Sequence, residues 1–313
     1  MEENTLPDNK KNEEVSADTG SSTPAEEKPV KRTVLDYDDV VKMAPFFDGK
    51  PKLVNRIFKL LSIDKVNWIH SLHFDTPGVP FCTGLLGTLG CDIRVDNEEV
   101  LDAFPGAFVT VSNHVFGALD GMMMIDLVGR HRPKYKFMVN MFLKHITALT
   151  PSMIFVDALA SDDPEKQRQS KIGITETIRQ VKSGEPVGFF PAGAVSKVKR
   201  NLRIEDREWQ PVVIRLIQKL KVPVIPVFLH GRNSNWFNFL GMVSWKLRTL
   251  RLPAEVFNRK SYNFRISCGE PIMPEKIAEF SSVEELGKFL KAQTYALRDR
   301  YAKAPLPPKS NNK

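Results

Sequence analysis

The chain has 313 residues, of which 42% are hydrophobic and 26% are charged, a composition typical of globular proteins. It holds no run of about 18 apolar residues, the length that a membrane-spanning helix requires. Its three cysteines form no CxxC pair, and its first residues lack the basic and apolar regions of a secretory signal. We therefore expect neither a disulfide framework nor secretion.

The charge is distributed unevenly along the chain. Residues 1–30 carry eight acidic and three basic side chains, whereas the formal net charge of the whole chain is +8. A basic body of this kind predicts an anionic partner: nucleic acid, an anionic membrane, or an acidic protein or substrate. No nucleic-acid-binding motif accompanies the charge, so we expect no nucleic acid. The polar composition of residues 1–33 predicts a disordered acidic tail, and residues 303–313 predict a second disordered tail.

Residues 34–80 predict an N-terminal helical segment. Within it, Leu53, Ile57 and Leu60 recur at helical spacing, and basic side chains lie off that face. We expect one amphipathic helix between Leu53 and His73. This pattern is equally typical of a helix that binds a membrane surface and of a helix packed on a domain core.

From Gly106 onward, short β-branched and aromatic runs alternate with amphipathic stretches. The alternation predicts an α/β fold with a largely parallel sheet flanked by helices. The predicted strands are Ala107–Ser112, Lys136–Val139, Met153–Val156, Pro186–Phe190, Val224–Leu229 and Asn263–Ser267. The predicted helices are Gln167–Lys182, which follows an Asp-Pro start, Trp209–Leu220, and Val283–Tyr301, which follows a capping box.

His114 lies where a predicted strand ends and an apolar helix begins, a position at which α/β proteins bind ligands. Asp120 follows six residues later, so the two side chains meet only if the histidine lies in the loop and the aspartate in the first helical turn. The carboxylate then fixes the imidazole tautomer, and the second ring nitrogen can act as a general base toward a hydroxyl. A His–Asp pair is also a common structural contact, so the residue types alone leave both interpretations open.

A second polar stretch follows the predicted strand Pro186–Phe190. Phe190-Pro191-Ala192-Gly193 forms a loop, and a basic run over residues 197–200 leaves it. Backbone N–H groups in such a loop, with basic side chains nearby, can bind a phosphate or a carboxylate. An ordinary turn with a solvated basic exit explains the same pattern.

Aromatic and basic side chains alternate between Asn235 and Leu252. This combination is typical of a membrane interface, where rings lie at headgroup depth and bases meet anionic lipid. Stacking on nucleic-acid bases is the competing interpretation. The residues expected to contact the membrane are Trp236, Trp245, Lys246 and Arg248.

Four motifs occur in order along the chain. They are Asn-His-x5-Asp at 113–120, Phe-Pro-Ala-Gly at 190–193, Val-Ile-Pro-Val at 224–227 with Gly-Arg-Asn-Ser at 231–234, and Cys-Gly-Glu-Pro-Ile at 268–272. Together they resemble the lysophosphatidate-type glycerolipid acyltransferase superfamily. The closer resemblance is to its bacterial hemolysin-like branch, which includes lyso-ornithine-lipid and lyso-glycine-lipid O-acyltransferases, and Asp206 and Trp209 fit that branch too. The resemblance implies an acyltransferase domain over residues 81–273, followed by a C-terminal helix over residues 274–302.

Two departures from the superfamily pattern bear on the acceptor. Five residues separate His114 from Asp120 where the superfamily usually has four, a longer spacing that the hemolysin-like branch shares. Ala192 and Val195 stand where the superfamily has a Glu and an Arg that help to hold a glycerol-phosphate acceptor. The resemblance therefore implies another head group, such as an N-acylated amino acid that carries a 3-hydroxy acyl chain. The sequence identifies no counterpart of the family's second-box Arg.

The resemblance implies an O-acyltransferase that moves a fatty acyl group from acyl carrier protein or acyl-CoA to the hydroxyl of a lyso-lipid of the glycine or ornithine type. His114 is then the general base and Asp120 orients it, with the backbone near Gly193 as the candidate oxyanion donor. The implied acceptor-binding residues are Asn113, Gly193, Ser196, Lys197 and Arg200. Met122 and Met123 would line an acyl-chain slot, although core packing explains methionines here as well. No metal-ligand spacing occurs, so we expect neither a metal nor another cofactor.

Two alternatives stay open at this point. One is a lysophosphatidate or lysophospholipid acyltransferase of phospholipid synthesis. The other is a non-enzymatic, hemolysin-like membrane-binding protein, against which the lack of a secretion signal and of a spanning segment argues. For an enzyme that takes a water-insoluble acceptor, we expect a peripheral position on the cytoplasmic face of the inner membrane.

Overall fold

The computed structural model describes residues 31–157, 163–199, 203–258 and 263–307. The expected acidic tail over residues 1–33 lies outside the described residues except for its last three positions. Arg200 and residues 308–313 of the expected C-terminal tail lie outside them as well.

A seven-stranded sheet forms the centre of the structure. In chain order, the strands are β1 (Asp92–Asp96), β2 (Val109–Ser112), β3 (Lys136–Asn140), β4 (Met153–Val156), β5 (Val187–Phe189), β6 (Lys197–Val198), β7 (Ile204–Glu205), β8 (Val224–His230) and β9 (Asn263–Cys268). The order across the sheet is β1-β9-β8-β2-β5-β3-β4. Strands β8 and β9 are antiparallel, and the other neighbours in the sheet are parallel. Strands β6 and β7 pair separately in an antiparallel ribbon.

Helices cover both faces of this sheet. In chain order, they are α1 (Tyr37–Met43), α2 (Pro51–Leu61), α3 (Ile63–Ser71), α4 (Val79–Thr88), α5 (Ala118–His131), α6 (Pro164–Lys182), α7 (Pro211–Leu220), α8 (Asn235–Val243), α9 (Trp245–Phe257), α10 (Pro274–Ala278) and α11 (Val283–Tyr301). Short 3-10 helices cover Pro45–Phe47, Glu98–Asp102, Met141–His145 and Thr147–Ser152. The prediction of an α/β fold with a largely parallel sheet flanked by helices is therefore confirmed.

Two hydrophobic clusters hold the helices on the sheet. One contains side chains of α4 and α5, and the other contains side chains of α7 and α11. Val224 and Ile225 of β8 belong to different clusters, as expected for a strand whose successive side chains point to opposite faces. Burial of one complete leucine side chain, such as Leu286, contributes about 1.5–3 kcal/mol.

The predicted helix Val283–Tyr301 is confirmed, whereas α6 begins at Pro164, three residues before the predicted Gln167 and directly after its cap. Helix α6 begins after Asp163, whose carboxylate accepts hydrogen bonds from the backbone N–H groups of Glu165 and Lys166. Helix α11 begins after Ser282, whose hydroxyl accepts from the N–H of Glu285. These contacts satisfy N–H groups that the first helical turn leaves without partners.

The prediction of a single helix between Leu53 and His73 is wrong, because the helix is interrupted at Ser62. Ser62 has a φ of 61° and separates α2 from α3. The two helices face different surroundings: Leu60 of α2 is 76% exposed, whereas Ile69 of α3 is 2% exposed. The left-handed residue Ser62 changes the direction of the chain, so α3 can pack on the core while Leu60 at the end of α2 stays at the surface.

Two further elements differ from the expectations. Strand β1 was not predicted, and it lies at the edge of the sheet, where it pairs with β9 and carries charged side chains between its apolar ones. The expected C-terminal helix over residues 274–302 is two helices, α10 and α11, which the capping serine separates. Helix α11 packs against β8 and α7, so it belongs to the same helical layer as α7.

No helix within the described ranges is long and apolar enough to cross a membrane.

Candidate active site

The loops that follow β2, β5 and β8 meet at one edge of the sheet. These three strands are parallel neighbours, so their carboxyl ends lie side by side. The loop after β2 carries His114, the loop after β5 carries Phe190 to Ser196, and the segment after β8 runs from Gly231 to Ser234. Such an edge is where open α/β sheets bind their ligands.

His114 and Asp120 meet across the start of α5. The imidazole Nδ1 lies 2.8 Å from Oδ2 of Asp120, whose side chain is fully buried. Gly117, at a φ of 75°, turns the chain into α5 and allows the histidine to stay in the loop while the aspartate lies in the first helical turn. Because an ionised carboxylate only accepts hydrogen bonds, it holds the proton on Nδ1 and leaves Nε2 as the basic nitrogen.

Asp120 also fixes the loop backbone. The same Oδ2 accepts a hydrogen bond of 2.7 Å from the N–H of Phe116. Burial raises the pKa of the Asp120 carboxyl, while the hydrogen bonds from His114 and the backbone act in the opposite direction. The carboxylate thus holds both the ring and the turn that carries it.

The His114 ring packs face to face on Phe190. The two ring centroids lie 4.1 Å apart with an interplanar angle of 12°, and the histidine side chain is 17% exposed. One face of the imidazole is therefore covered and one nitrogen is held by Asp120. These contacts leave the Nε2 edge as the part of the ring that can meet a substrate.

A buried carboxylate, Asp206, holds the loop that carries His114. Its Oδ1 accepts hydrogen bonds from the N–H of His114 at 3.3 Å and from the Ser196 hydroxyl at 2.5 Å, and its Oδ2 accepts from Trp209 Nε1 at 3.1 Å. The N–H of Asp206 donates to the Tyr295 hydroxyl. Burial raises the pKa of the Asp206 carboxyl. The sequence signal for this role was slight, because an acid three residues before a tryptophan is no catalytic motif.

Ser196 does not line an open pocket. Its side chain is 3% exposed, and its hydroxyl lies 2.9 Å from the carbonyl oxygen of His114 in addition to its contact with Asp206. Its N–H donates to the same His114 carbonyl at 2.6 Å. The expectation that Ser196 binds an acceptor is therefore corrected: it ties the loop after β5 to the loop after β2.

The Phe-Pro-Ala-Gly loop is a tight turn. The N–H of Gly193 donates to the Phe190 carbonyl at 2.9 Å, and Gly193 has a φ of 61°. This left-handed backbone favours glycine, and a Cβ atom at this position would also displace the Gln210 amide, whose nitrogen lies 1.9 Å from it. The N–H of Gly193 itself is used within the turn, so it is not free to act as the oxyanion donor, and the expectation of a donor in the backbone near Gly193 stays a prediction.

The other predicted acceptor residues divide into three cases. Asn113 is 1% exposed, and its amide both donates to and accepts from the backbone of Leu229, which joins β2 to β8. It is therefore a structural bridge and does not offer its amide to an acceptor. Lys197 is exposed in β6. Arg200 lies outside the described residues.

The methionines at the start of α5 fill the core. Met122 is 7% exposed, and Met123 and Met124 are fully buried within one hydrophobic cluster. This packing does not fit the expected acyl-chain slot at Met122 and Met123, because Met123 is enclosed by the core and Met122 nearly so.

The expected membrane residues separate into exposed and half-buried ones. Trp236 is 54% exposed and Trp245 is 67% exposed, and Lys246 is exposed beside the Trp245 ring. Arg248 is half-buried, and its guanidinium donates to the carbonyl groups of Val195 at 3.3 Å and Ser196 at 3.2 Å. The structure therefore moves Arg248 from the expected membrane surface to the loop beside His114.

Helix α9 lies over the histidine loop. A Cβ atom added to Gly117 would lie 2.7 Å from Leu252 of α9, and Asn233, which precedes α8, donates to the Val115 carbonyl. The α8–α9 pair is thus part of the wall of the site. Among the residues that the structure describes, no group of histidine, cysteine and acidic side chains could hold a metal ion.

A buried His–Asp pair at the carboxyl edge of a parallel sheet, with one ring nitrogen directed outward, is suited to deprotonating a hydroxyl in a transfer reaction. The sequence matches the family model described as Acyltransferase over residues 49–303. Because that range covers most of the chain, the protein belongs to this acyltransferase family. It is therefore an enzyme that transfers acyl groups.

Two curated relatives are both named lyso-glycine lipid O-acyltransferase. The relative from Bacteroides thetaiotaomicron is 26% identical, over 84% of this chain and 97% of its own length. The relative from Phocaeicola vulgatus is 23% identical, over 70% of this chain and 78% of its own length. A crystal structure of the 1-acyl-sn-glycerophosphate (LPA) acyltransferase PlsC from Thermotoga maritima matches 87% of this chain and 91% of its own, with a TM-score of 0.47 and 17% identity. That structural similarity is too low to carry a statement about substrate.

Proposed function

We propose that the enzyme transfers a fatty acyl group from a thioester of acyl carrier protein or coenzyme A to the hydroxyl of a lyso-lipid of the amino-acid type. The observation that carries the chemistry is the hydrogen bond of 2.8 Å between His114 Nδ1 and buried Asp120. The names of the two curated relatives support a lyso-glycine lipid as the acceptor. Membership of an acyltransferase family sets aside the non-enzymatic alternative.

His114 acts as the general base in this proposal. Its Nε2 takes the proton of the acceptor hydroxyl while the oxygen attacks the thioester carbonyl carbon. The tetrahedral intermediate collapses with cleavage of the carbon–sulfur bond, and the imidazolium returns the proton to the leaving thiolate. The products are the acylated lipid ester and the free thiol. Asp120 stabilises the imidazolium between these two proton transfers.

The described residues offer an anionic acceptor two basic side chains beside the site. Lys197 lies in β6, directly after the turn that ends at Ser196, and Arg248 holds the same turn from α9. In the superfamily that the sequence resembles, a Glu and an Arg help to hold a glycerol phosphate, and Ala192 and Val195 replace them here. This replacement supports an acceptor other than lysophosphatidate.

Membrane contact is the second part of the proposal. Large apolar side chains are exposed on α8 and α9, and others are exposed on α2 and α3, which pack against α9. Exposed basic side chains of α2 lie among them. The exposed apolar residues are Leu53, Leu60, Trp68, Trp236, Phe239, Met242, Val243, Trp245, Leu247 and Leu250. Soluble monomers rarely expose apolar patches of this extent, so we propose that this surface rests on an anionic membrane.

A peripheral enzyme on the cytoplasmic face of the inner membrane would meet both substrates there. The acyl donor is water-soluble, whereas a lyso-lipid lies in the bilayer. The α8–α9 pair lies over the His114 loop, so a lipid that enters along these helices passes beside the base.

Mass spectrometry of the lipids of a deletion strain tests the acceptor. We expect the diacyl amino lipid to disappear and its lyso form to accumulate, and the wild-type gene should restore the lipid whereas a gene that encodes His114→Ala should not. Unchanged amino lipids together with accumulated lysophosphatidate would replace this proposal with the lysophosphatidate alternative.

A further inference from the structure

Arg248 is a preorganised cation beside the site, and the proposed function leaves open which group of the acceptor it binds. Its aliphatic stem passes over Gly241, where an added Cβ atom would lie 2.7 Å from Arg248 Cδ. Its guanidinium lies 5.7 Å from the ring centroid of Phe237 and donates to the Val195 and Ser196 carbonyl groups. The side chain is therefore held in one place before any ligand binds, which lowers the entropic cost of binding one.

No carboxylate among the described residues forms an ion pair with Arg248, although the residue is half-buried. Burial lowers the pKa of its guanidinium. Arg251, one turn further along α9, has buried Glu255 at 3.8 Å. A guanidinium carries five N–H donors, and the two carbonyl groups use two of them. The remaining donors are enough for a two-pronged contact with a carboxylate.

Arg248 lines a cavity of about 280 Å³ between the β6 ribbon and the α8–α9 pair. Lys197 and Asn238 add polar groups to its wall, and Val198 and Met242 add apolar ones. Met242 is 66% exposed and belongs to the apolar surface of α8. The cavity therefore joins a cationic end to the proposed membrane surface, as a ligand with one anionic group and one acyl chain requires.

The cavity is tied to the catalytic loop by a short chain of hydrogen bonds. Arg248 donates to the Ser196 carbonyl, and the N–H of Ser196 donates to the His114 carbonyl. An anionic group held by Arg248 would therefore be bound to the same loop whose backbone contacts His114.

We propose that Arg248 binds the free carboxylate of the acceptor and thereby selects an N-acylated amino acid over a neutral lyso-lipid. The inference rests on the proposed function, which supplies the reaction and the lyso-lipid acceptor, and adds the group that recognises the head group. A planar, two-oxygen carboxylate matches the guanidinium fork, and Lys197 adds a second positive charge at the same cavity.

The test compares two acceptors that differ in one group: the lyso-glycine lipid with its free acid, and the same lipid with the carboxylate converted to a primary amide. For the wild-type enzyme we expect kcat/KM to favour the acid by about 10- to 100-fold, the range of a hydrogen bond to a charged group. Arg248→Gln should remove most of this preference, and Arg248→Lys should retain part of it. Arg251→Gln, the matched control on the same helix, should keep the full preference.

The acid-to-amide ratio is measured within one preparation, so partial misfolding of a variant does not alter it. If Arg248→Gln lowers kcat/KM for both acceptors equally and the preference persists, Arg248 only supports the loop and the inference is wrong. If the wild type prefers lysophosphatidate and that preference depends on Arg248, the bound group is a phosphate and the carboxylate assignment is wrong. If the wild type acylates none of these acceptors, the proposed function itself fails, and this is seen before any variant is compared.

Discussion

Asp206 lies 92 residues after His114 in the sequence, yet its Oδ1 accepts the hydrogen bond from the His114 backbone N–H. The same oxygen accepts from Ser196, which in turn contacts the His114 carbonyl group. One buried carboxylate thus joins the loop after β2 to the loop after β5. We regard Asp206 as a positioning residue, because it touches the backbone that carries the base and not the imidazole.

Replacement of Asp206 tests that role. Asp206→Asn keeps the size of the side chain but replaces one accepting oxygen by an NH₂ group. That group faces a hydrogen-bond donor and cannot accept from it, so the loop should shift. We expect kcat to fall by about 10- to 100-fold, the cost of a small misplacement of a catalytic group, with little change in KM for the thioester. Glu205→Gln, its neighbour, is the control. If Asp206→Asn lowers only the melting temperature and leaves kcat per folded molecule unchanged, the residue supports the fold alone.

His114→Ala should abolish most acyl transfer while the fold stays intact. Loss of a general base typically costs about 10²- to 10⁴-fold in rate, and His114 lies in a loop, outside both hydrophobic clusters of the core. The measurement is turnover together with circular dichroism. His131→Ala, at the other end of α5, removes contacts with Glu98 and Asp102 and should keep its turnover per folded molecule. A folded His114→Ala enzyme with full activity would refute the assignment.

Asp120→Asn should retain acceptor binding and lose most turnover. An amide can present N–H to Nδ1 and so favours the imidazole tautomer that has no lone pair on Nε2. Asp126→Asn is the matched control on the same helix, because Asp126 contacts Thr83 and Arg130 and not the histidine. Steady-state kinetics with both variants decides the matter, and greater damage from Asp126→Asn would contradict the pairing.

The exposed aromatic surface predicts salt-dependent membrane binding. We expect Trp236→Ala combined with Trp245→Ala, or Lys246→Glu alone, to weaken co-sedimentation with anionic vesicles, since one base near an anionic leaflet contributes about 1 kcal/mol. Activity on detergent-dispersed acceptor should largely survive, and wild-type binding should fall as salt screens the charges. Arg248 is left out of this test because it contacts the catalytic loop. Variants that melt earlier but still sediment fully with vesicles would exclude this surface from membrane binding.

His230 should make the protein less stable in acid. Burial lowers the pKa of His230 from 6.5 to about 4. Between pH 6.5 and about pH 4, His230 is protonated in the unfolded chain and neutral in the folded one. The free energy of unfolding therefore falls as the pH drops through this range. His230→Gln should reduce that loss by about 1–2 kcal/mol after allowance for solvent screening, as measured by urea unfolding at several pH values.

His131 supplies a control of opposite sign. Its pKa is raised, chiefly by the hydrogen bond with Glu98, so its contribution is fully present below pH 6.5 and is lost as the pH rises through its folded-state pKa. His131→Gln should therefore lose more stability than the wild type on acidification. If the free energy of unfolding depends on pH in the same way for His230→Gln and His131→Gln, the roles given to both histidines are wrong.

The local elements of this protein follow from its sequence. Short apolar runs in the sequence identified six strands of the sheet, including the three whose loops form the site. They were recognisable because a parallel strand buried on both faces needs nearly continuous β-branched and aromatic residues. Capping at Asp163 and Ser282 fixed where α6 and α11 begin. The His114–Asp120 spacing was sufficient to place one residue in a loop and the other in a helix, since the two lie within one strand–turn–helix unit.

Only the tertiary structure decided what distant residues do. Asn113 and Ser196 look like substrate-binding groups in the sequence, and both are used to join strands and loops. Arg248 follows three exposed residues at the start of α9, yet its side chain turns inward and packs over Gly241 and near Phe237 of α8. Helical spacing shows which residues share a face, but the neighbour that covers this face is set by how α8 folds back on α9. The sequence therefore showed the charge of Arg248 but not its contact with the carbonyl groups of Val195 and Ser196.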